Sequence, residues 1–122
     1  MKMQDKIVIN DYIENDPLSE ENLDKTLETV NRFRLSLPNK TIWIYTGYTW
    51  ENIMKYEYGA KYINNFNTDA LRQCIVSKCD VLVDGRYIDS QRNPSKKFAG
   101  SDNQRVISIA ESLKQGKVIM LE

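Results

Sequence analysis

Histidine is absent from this chain. Its absence excludes Ser-His and Cys-His catalysis and the common histidine-ligated metal sites. Cysteine is scarce: Cys74 and Cys79 are the only two. They stand across an expected helix end and strand start, a poor geometry for a disulfide, so both read as small buried hydrophobes. Two thiolates are also too few for an iron–sulfur cluster, which takes three or four. Charge of one sign is lacking too, since 17 basic residues balance 17 acidic ones. No global field therefore draws the protein to nucleic acid or to an anionic membrane. The small basic loop of Arg92, Lys96 and Lys97 has no interleaved aromatics, and nucleic acid is not an expected partner. No apolar run is long enough to span a bilayer. The opening MKMQDKIVIN is too short and too polar for a secretory signal, so a cytoplasmic protein is expected. There is no Walker loop, no Rossmann glycine fingerprint, no internal repeat and no low-complexity segment. Neither a catalytic residue nor a metal ligand is assigned.

What is present is organised around Lys40 to Glu51, KTIWIYTGYTWE. Thr41 to Tyr45 are β-branched or aromatic and read as a buried strand. Gly47 permits a sharp turn, and Thr49 can cap a helix beginning at Trp50. Around that stretch, Lys6 to Asn10 reads as a first strand and Asp11 to Leu18 as a loop. Ser19 to Leu37 reads as a helix, with Ser19 as N-cap, Leu23, Leu27, Val30, Phe33 or Arg34, and Leu37 at helical spacing, and Pro38 as its stop. Trp50 to Tyr58 is a second helix, residues 60 to 67 an irregular loop, and Asp69 to Ser77 a third helix capped by Thr68. Leu71, Cys74, Ile75 and Val76 form its expected apolar face. Cys79 to Asp84 is another buried strand, ended by Gly85, and Arg86 to Phe98 is a loop. Ser101 to Gln115 is expected as a last helix with Val106, Ile107, Ile109, Ala110 and Leu113 inward. Gly116 closes it before a final strand, Lys117 to Leu121. The alternation predicts one α/β domain over residues 1–122: an open, mostly parallel sheet of about four strands with flanking helices, like part of a barrel.

In such a sheet the turns after the strands gather at one edge, where α/β proteins build their sites. That edge would collect Asn15, Asp16, Thr46, Tyr48, Asp84, Arg86, Ser101, Asn103, Gln104 and Arg105. Each has a plainer role: Asp16 as a turn residue, Ser101 as a cap, Arg105 as a solvated charge. Ser101, Asn103, Gln104 and Arg105, at an expected helix start, form a candidate anion- or partner-binding group. Trp50 is a candidate partner contact. Tyr12, Tyr48, Trp50, Tyr58, Tyr62 and Phe66 are candidate interface anchors, with core or ordinary surface aromatics as the plain alternative.

Three blocks resemble a known family. They are Lys40 to Glu51, Cys79-Asp80-Val81-Leu82-Val83-Asp84-Gly85-Arg86-Tyr87, and Phe98-Ala99-Gly100-Ser101-Asp102-Asn103-Gln104-Arg105-Val106-Ile107. In order and spacing they resemble the anaerobic ribonucleoside-triphosphate reductase activating proteins of the radical S-adenosylmethionine superfamily. The likeness runs from about Ile7 to Ile109. It implies a partial α/β barrel, a [4Fe-4S] cluster on a C-x-x-x-C-x-x-C loop, bound S-adenosylmethionine, and a radical that takes hydrogen from a glycine of the reductase. The cysteine loop has no counterpart here, and Cys74 and Cys79 do not match it. The family's Gly-Gly-Asp-Pro-Leu turn on S-adenosylmethionine corresponds to Glu14-Asn15-Asp16-Pro17-Leu18, with both glycines replaced. Asn15, Asp16, Pro17, Thr46, Gly47 and Tyr48 are therefore the candidate, degenerate cofactor contacts.

Two functions follow as expectations. In the first, the chain is a truncated or cluster-less relative of the activase, without radical chemistry on its own, and the reductase is its partner. In the second, the scaffold has been repurposed, for example on a phage or mobile element, to bind or inhibit a protein or to hold a nucleotide-like ligand. Met1 leads straight into the first strand, as in a short complete product; a fragment or split gene product would begin the same way. An exposed sheet edge also predicts a homodimer or an obligate partner.

Overall fold

The computed structural model of the chain describes residues 5–55 and 66–121. Four strands make one sheet in the order β1 (Lys6–Val8), β2 (Thr41–Thr46), β3 (Val81–Asp84), β4 (Arg105–Ser108). The first three are parallel, with Ile7 opposite Ile42 and Ile44 opposite Leu82. The fourth runs antiparallel, with Leu82 opposite Ile107. The expected α/β class and mostly parallel open sheet are what is found.

Strand alternation divides the core in two. Ile42, Ile44, Leu82 and Ile107 point to the face covered by α1 (Leu23–Ser36), α3 (Phe66–Ser77) and α4 (Ile109–Gln115), where Val30, Ile75, Val76 and Ile109 meet them. Trp43, Val81, Val83 and Val106 point the other way and are covered by Phe98 and Ala99 of the long β3–β4 connection. Burying each such aliphatic side chain contributes roughly 1.5–3 kcal/mol. At the floor of the sheet, Arg34 of α1 donates to Lys78 O and Asp80 Oδ2, both at 2.8 Å.

Several elements differ from the sequence expectation. The first helix starts at Leu23 after a 3-10 turn, Glu20–Asn22. Ser19 does not cap it, because its hydroxyl donates to Asp16 O instead. Thr49 does cap α2, accepting from Asn52 N at 3.2 Å, but α2 spans only Trp50–Ile53 and Tyr58 lies outside the described residues. The third helix already includes Phe66 and Asn67, so Thr68 is inside it and not its cap. Cys74 on that helix is exposed, whereas Cys79 is buried, and both thiols are free.

The largest correction concerns Ser101 to Gln115. Its first part is strand β4, and only Ile109–Gln115 is helical. Val106 and Ile107 bury on opposite faces of the sheet, a period of two that a short apolar run shares with a buried helix. Ala110 and Leu113 are consequently exposed, not inward. Gly116 ends α4 with φ +70, the left-handed conformation in which glycine has no steric penalty. Residues 117–121 form no strand; Met120 makes a single bridge to Ile107. No helix among the described residues is long and apolar enough to cross a membrane.

Candidate functional site

The carboxyl ends of β1, β2 and β3 share one edge, and antiparallel β4 begins there. Asn10, just beyond β1, pairs its side-chain amide with the Tyr45 backbone, donating to O and accepting from N at 2.9 Å. The loop then folds back so that Asp16 caps the end of β2. The Asp16 carboxylate accepts from Thr46 Oγ1 at 2.8 Å, Gly47 N at 2.9 Å and Leu18 N at 2.9 Å. Asn15 holds the turn with φ +64, in the left-handed region that asparagine tolerates better than other residues with a Cβ. Pro17 is buried, and its carbonyl accepts from Thr26 Oγ1, so it does not line the edge. Tyr48 sits to one side, where Arg72 stacks on its ring and donates to its hydroxyl at 3.1 Å.

The β3–β4 connection closes the other side. Gly85 turns with φ +93. Gln104 donates to Gly85 O and accepts from Gly100 N and Ser101 N. Ser101 is fully buried, its hydroxyl donating to Asn103 Oδ1 and accepting from Ile88 N. Asn103 donates to Arg86 O. These residues sit in a turn before a strand, so the anion site expected at a helix start has no helix behind it. Arg105 is likewise engaged: it forks onto Asp84 and reaches Glu51 at 2.6 Å. Those bonds raise the Arg105 pKa further above its ordinary value and, through the Arg105 contact first, lower that of Glu51. Asp84 also accepts from Trp50 N at 2.8 Å. Trp50 itself is buried in the core, so its ring is no surface anchor.

Between the two sides lies a cleft of about 460 Å³, lined by Asn15, Asp16, Thr46, Gly47, Arg86 and Gln104 among others. Its lining is mostly backbone and side chains already bonded to one another. Arg86 is the exception: it is exposed, and no ion pair of its guanidinium is found among the described residues. It also borders a second hollow with Ser19, Tyr48 and Asn52. A Cβ on Gly47 would meet Arg86 Cγ at 3.2 Å and Asp16 Oδ2 at 3.5 Å, so glycine there leaves room for both. The sequence placed Arg86 at this edge without singling it out. Asn10, Tyr45 and Tyr87 also line the cleft and were missed. The parity of β2, with Tyr45 two residues beyond Trp43, is the signal for Tyr45.

A neighbouring hollow of about 440 Å³ lies on the Trp43 face and shares Tyr45, Tyr87 and Gln104 with the cleft. Gly100 leaves space for the Tyr87 ring, whose Cδ1 would stand 3.0 Å from an added Cβ. Lys6 Nζ lies 3.8 Å over the Trp43 ring, and burial lowers its pKa against the weaker opposing charge of Asp11.

The donor set does not fit an iron–sulfur cluster. Cys79 donates its thiol to Ile75 O, and burial pushes its pKa up to about 12, the reverse of what a thiolate ligand needs. Cys74 is on the exposed side of α3. No group of three or more Cys, Asp or Glu able to hold a metal is found among the described residues.

An open, mostly parallel four-stranded sheet with a polar cleft at its carboxyl edge defines an α/β protein. A family profile described as "4Fe-4S single cluster domain" matches residues 14–107. Similar curated proteins are the anaerobic ribonucleoside-triphosphate reductase-activating proteins of several organisms. That of Vibrio cholerae is 34% identical over 89 residues, 73% of this chain and 48% of the relative. That of Escherichia coli K12 is 32% identical over 91 residues, 75% and 49% respectively. That of Enterobacteria phage T4 is 34% identical over 94 residues, 76% and 48%. The chain belongs to the family of that profile, the 4Fe-4S single cluster domain, and is similar to the anaerobic ribonucleoside-triphosphate reductase-activating proteins. It spans about half the length of the curated relatives it matches. No solved structure matches it significantly.

Proposed function

We propose that this chain works in the activation of an anaerobic ribonucleotide reductase, as the C-terminal portion of an activating protein that carries the cleft at the sheet edge. The carrying observation is the turn at Asn15 and Asp16. The family's turn has glycine at the position of Asn15, and Asn15 keeps the left-handed backbone that glycine would supply. Asp16 still locks that turn onto β2. The ligand of the cleft on this reading is S-adenosylmethionine. Arg86 would meet its carboxylate, as a forked cation meets a planar anion. A cluster supplies the electron for such chemistry in the family, and its thiolates do not come from Cys74 or Cys79. The chain by itself therefore performs no radical chemistry. A cytoplasmic setting goes with this role.

The second reading, a repurposed binding or inhibitor protein, is favoured by the same two cysteines. Anaerobic calorimetric titration with S-adenosylmethionine tests the first. Binding that is lost in Arg86→Ala supports it; no binding to the wild-type chain moves the cleft to another ligand. After reconstitution with iron and sulfide, steady formation of 5'-deoxyadenosine by the chain alone would contradict the absence of radical chemistry. Affinity capture of the reductase from source-cell lysate would tie the chain to that system.

A further inference from the structure

The loop that carries Arg92, Lys96 and Lys97 turns one of its charges inward. Lys96 is half-buried. Its Nζ donates to three backbone carbonyls: Gln104 O at 2.5 Å, Asp102 O at 3.3 Å and Ser101 O at 3.4 Å. No carboxylate forms an ion pair with Lys96 among the described residues. The Asp102 side chain is engaged elsewhere, accepting from Asn93 Nδ2 at 2.7 Å. The ammonium charge is thus met by carbonyl dipoles. Groups of backbone carbonyls are a common way for proteins to hold monovalent cations. An ammonium brings three donors and no acceptor, which matches such a cage. Its bonds are also roughly twice as strong as those of a neutral donor.

The cage closes a loop. Arg92 bridges to Ser101, and Asn93 N donates to Gly100 O at 3.0 Å, which makes a stem. Lys96 reaches back from within the loop to the residues that lead into β4. Among them, Ser101 is fully buried. Gln104 is the one with a second task. Its side chain accepts from Gly100 N at 2.8 Å and Ser101 N at 3.1 Å, and donates to Gly85 O at 3.0 Å. It therefore ties the loop to the end of β3. It also lines both the cleft and the hollow on the Trp43 face, whereas Lys96 lines neither.

We propose that the Lys96 ammonium is a tethered monovalent cation, seated in a cage of the Ser101, Asp102 and Gln104 carbonyls, and that it positions Gln104 as the wall shared by the cleft and the hollow. Lys96 is thus a positioning residue that acts through Gln104 and touches no ligand. The cage itself is a site for a cation of the ammonium class, occupied in this chain by its own side chain. That the cleft takes S-adenosylmethionine rests on the reading above; the cage does not. Lys96→Ala removes the side chain beyond Cβ, which n-propylammonium matches atom for atom, so the emptied cage should accept that ion from solution. Tetramethylammonium carries the same charge without a donor and should not replace it.

Nuclear magnetic resonance of the full chain tests this. In the wild type the Lys96 ammonium should give a slowly exchanging proton signal at low temperature. In Lys96→Ala the Gly100 and Ser101 amides should exchange about tenfold faster or more. Added n-propylammonium should slow them again, and tetramethylammonium should not. Lys114→Ala, on the exposed side of α4, should leave these rates unchanged. Affinity for S-adenosylmethionine should fall about tenfold in Lys96→Ala and return with n-propylammonium. A rapidly exchanging Lys96 ammonium in the wild type, unchanged amide exchange in Lys96→Ala, equal recovery with both ions, or equal affinity of Lys96→Ala and wild type would each overturn the proposal. Circular dichroism checks the fold of the variant, and the wild-type ammonium signal decides if Lys96→Ala does not fold. Should the wild type bind no S-adenosylmethionine, the reading above fails while the exchange rates still test the cage.

Discussion

The Thr46 hydroxyl donates to the Asp16 carboxylate at 2.8 Å across thirty residues of chain. The same carboxylate accepts from Gly47 N and Leu18 N. One side chain therefore fixes the loop after β1 to the turn after β2. Asp16→Ala leaves these donors without their acceptor and should cost about 1–3 kcal/mol. Thr46→Val removes the bond to Asp16 and the acceptor of Tyr48 N, and should cost about 1–2 kcal/mol. Urea unfolding of both variants measures this, and Asp16→Ala within about 0.5 kcal/mol of wild type would show that the latch is not what holds the loop.

Asn15 is the one residue with a side chain at positive φ among those described, at +64. Asn15→Gly should therefore be neutral or slightly stabilising. Asn15→Ala should destabilise by about 1 kcal/mol, since a Cβ without a local hydrogen bond is disfavoured there. Thermal melts of the pair decide it: equal melting temperatures would mean that the turn relaxes to another conformation.

Arg105 compensates Asp84, which is only 1% exposed. Arg105→Ala strands that carboxylate and should cost about 3–5 kcal/mol. Glu51 is mostly exposed, so Glu51→Gln should cost under about 1 kcal/mol. The Glu51 pKa is lowered in the fold, chiefly by its bond from Arg105. Its stabilisation is then complete above the ordinary value of 4.5 and is lost as pH falls through the lower folded value. Comparing the acid limbs of wild-type and Glu51→Gln stability curves checks the sign. The difference should be present at neutral pH and vanish in acid.

The two cysteines should react apart. Cys74 is exposed and Cys79 buried, with its thiol pushed up to about 12. A disulfide reagent at pH 8 should label Cys74 in the native protein and Cys79 only after denaturation. Peptide mass mapping reads this, and equal native rates would place Cys79 nearer solvent.

Much of the fold is legible in local pattern. Thr41 to Tyr45 reads as a strand because five β-branched or aromatic residues in succession suit a surface buried on both faces, as they do in β2. Gly85 reads as a stop because its φ of +93 strains any residue with a Cβ. Val106 and Ile107 were not legible. Side by side they fit a helix or a strand, and only pairing with β3 selects the strand. The candidate site was legible as a location but not as an arrangement. Asp16, Ser101, Gln104 and Arg105 do gather near the sheet edge, yet their polar atoms are largely taken by one another and by backbone. Arg86 is exposed, and its guanidinium has no ion pair among the described residues.

The sequence by itself determined the three parallel strands, the turns that stop them, the edge on which polar residues collect and the family likeness. All of these rest on nearest neighbours in the chain and on side-chain periodicity. Only the tertiary structure decided which polar groups are spent and which are open. Asp16 and Thr46 are thirty positions apart, and Arg105 and Glu51 fifty-four. Hydrogen bonds at such separations exist only once the sheet has brought their strands together, and local pattern carries no trace of them.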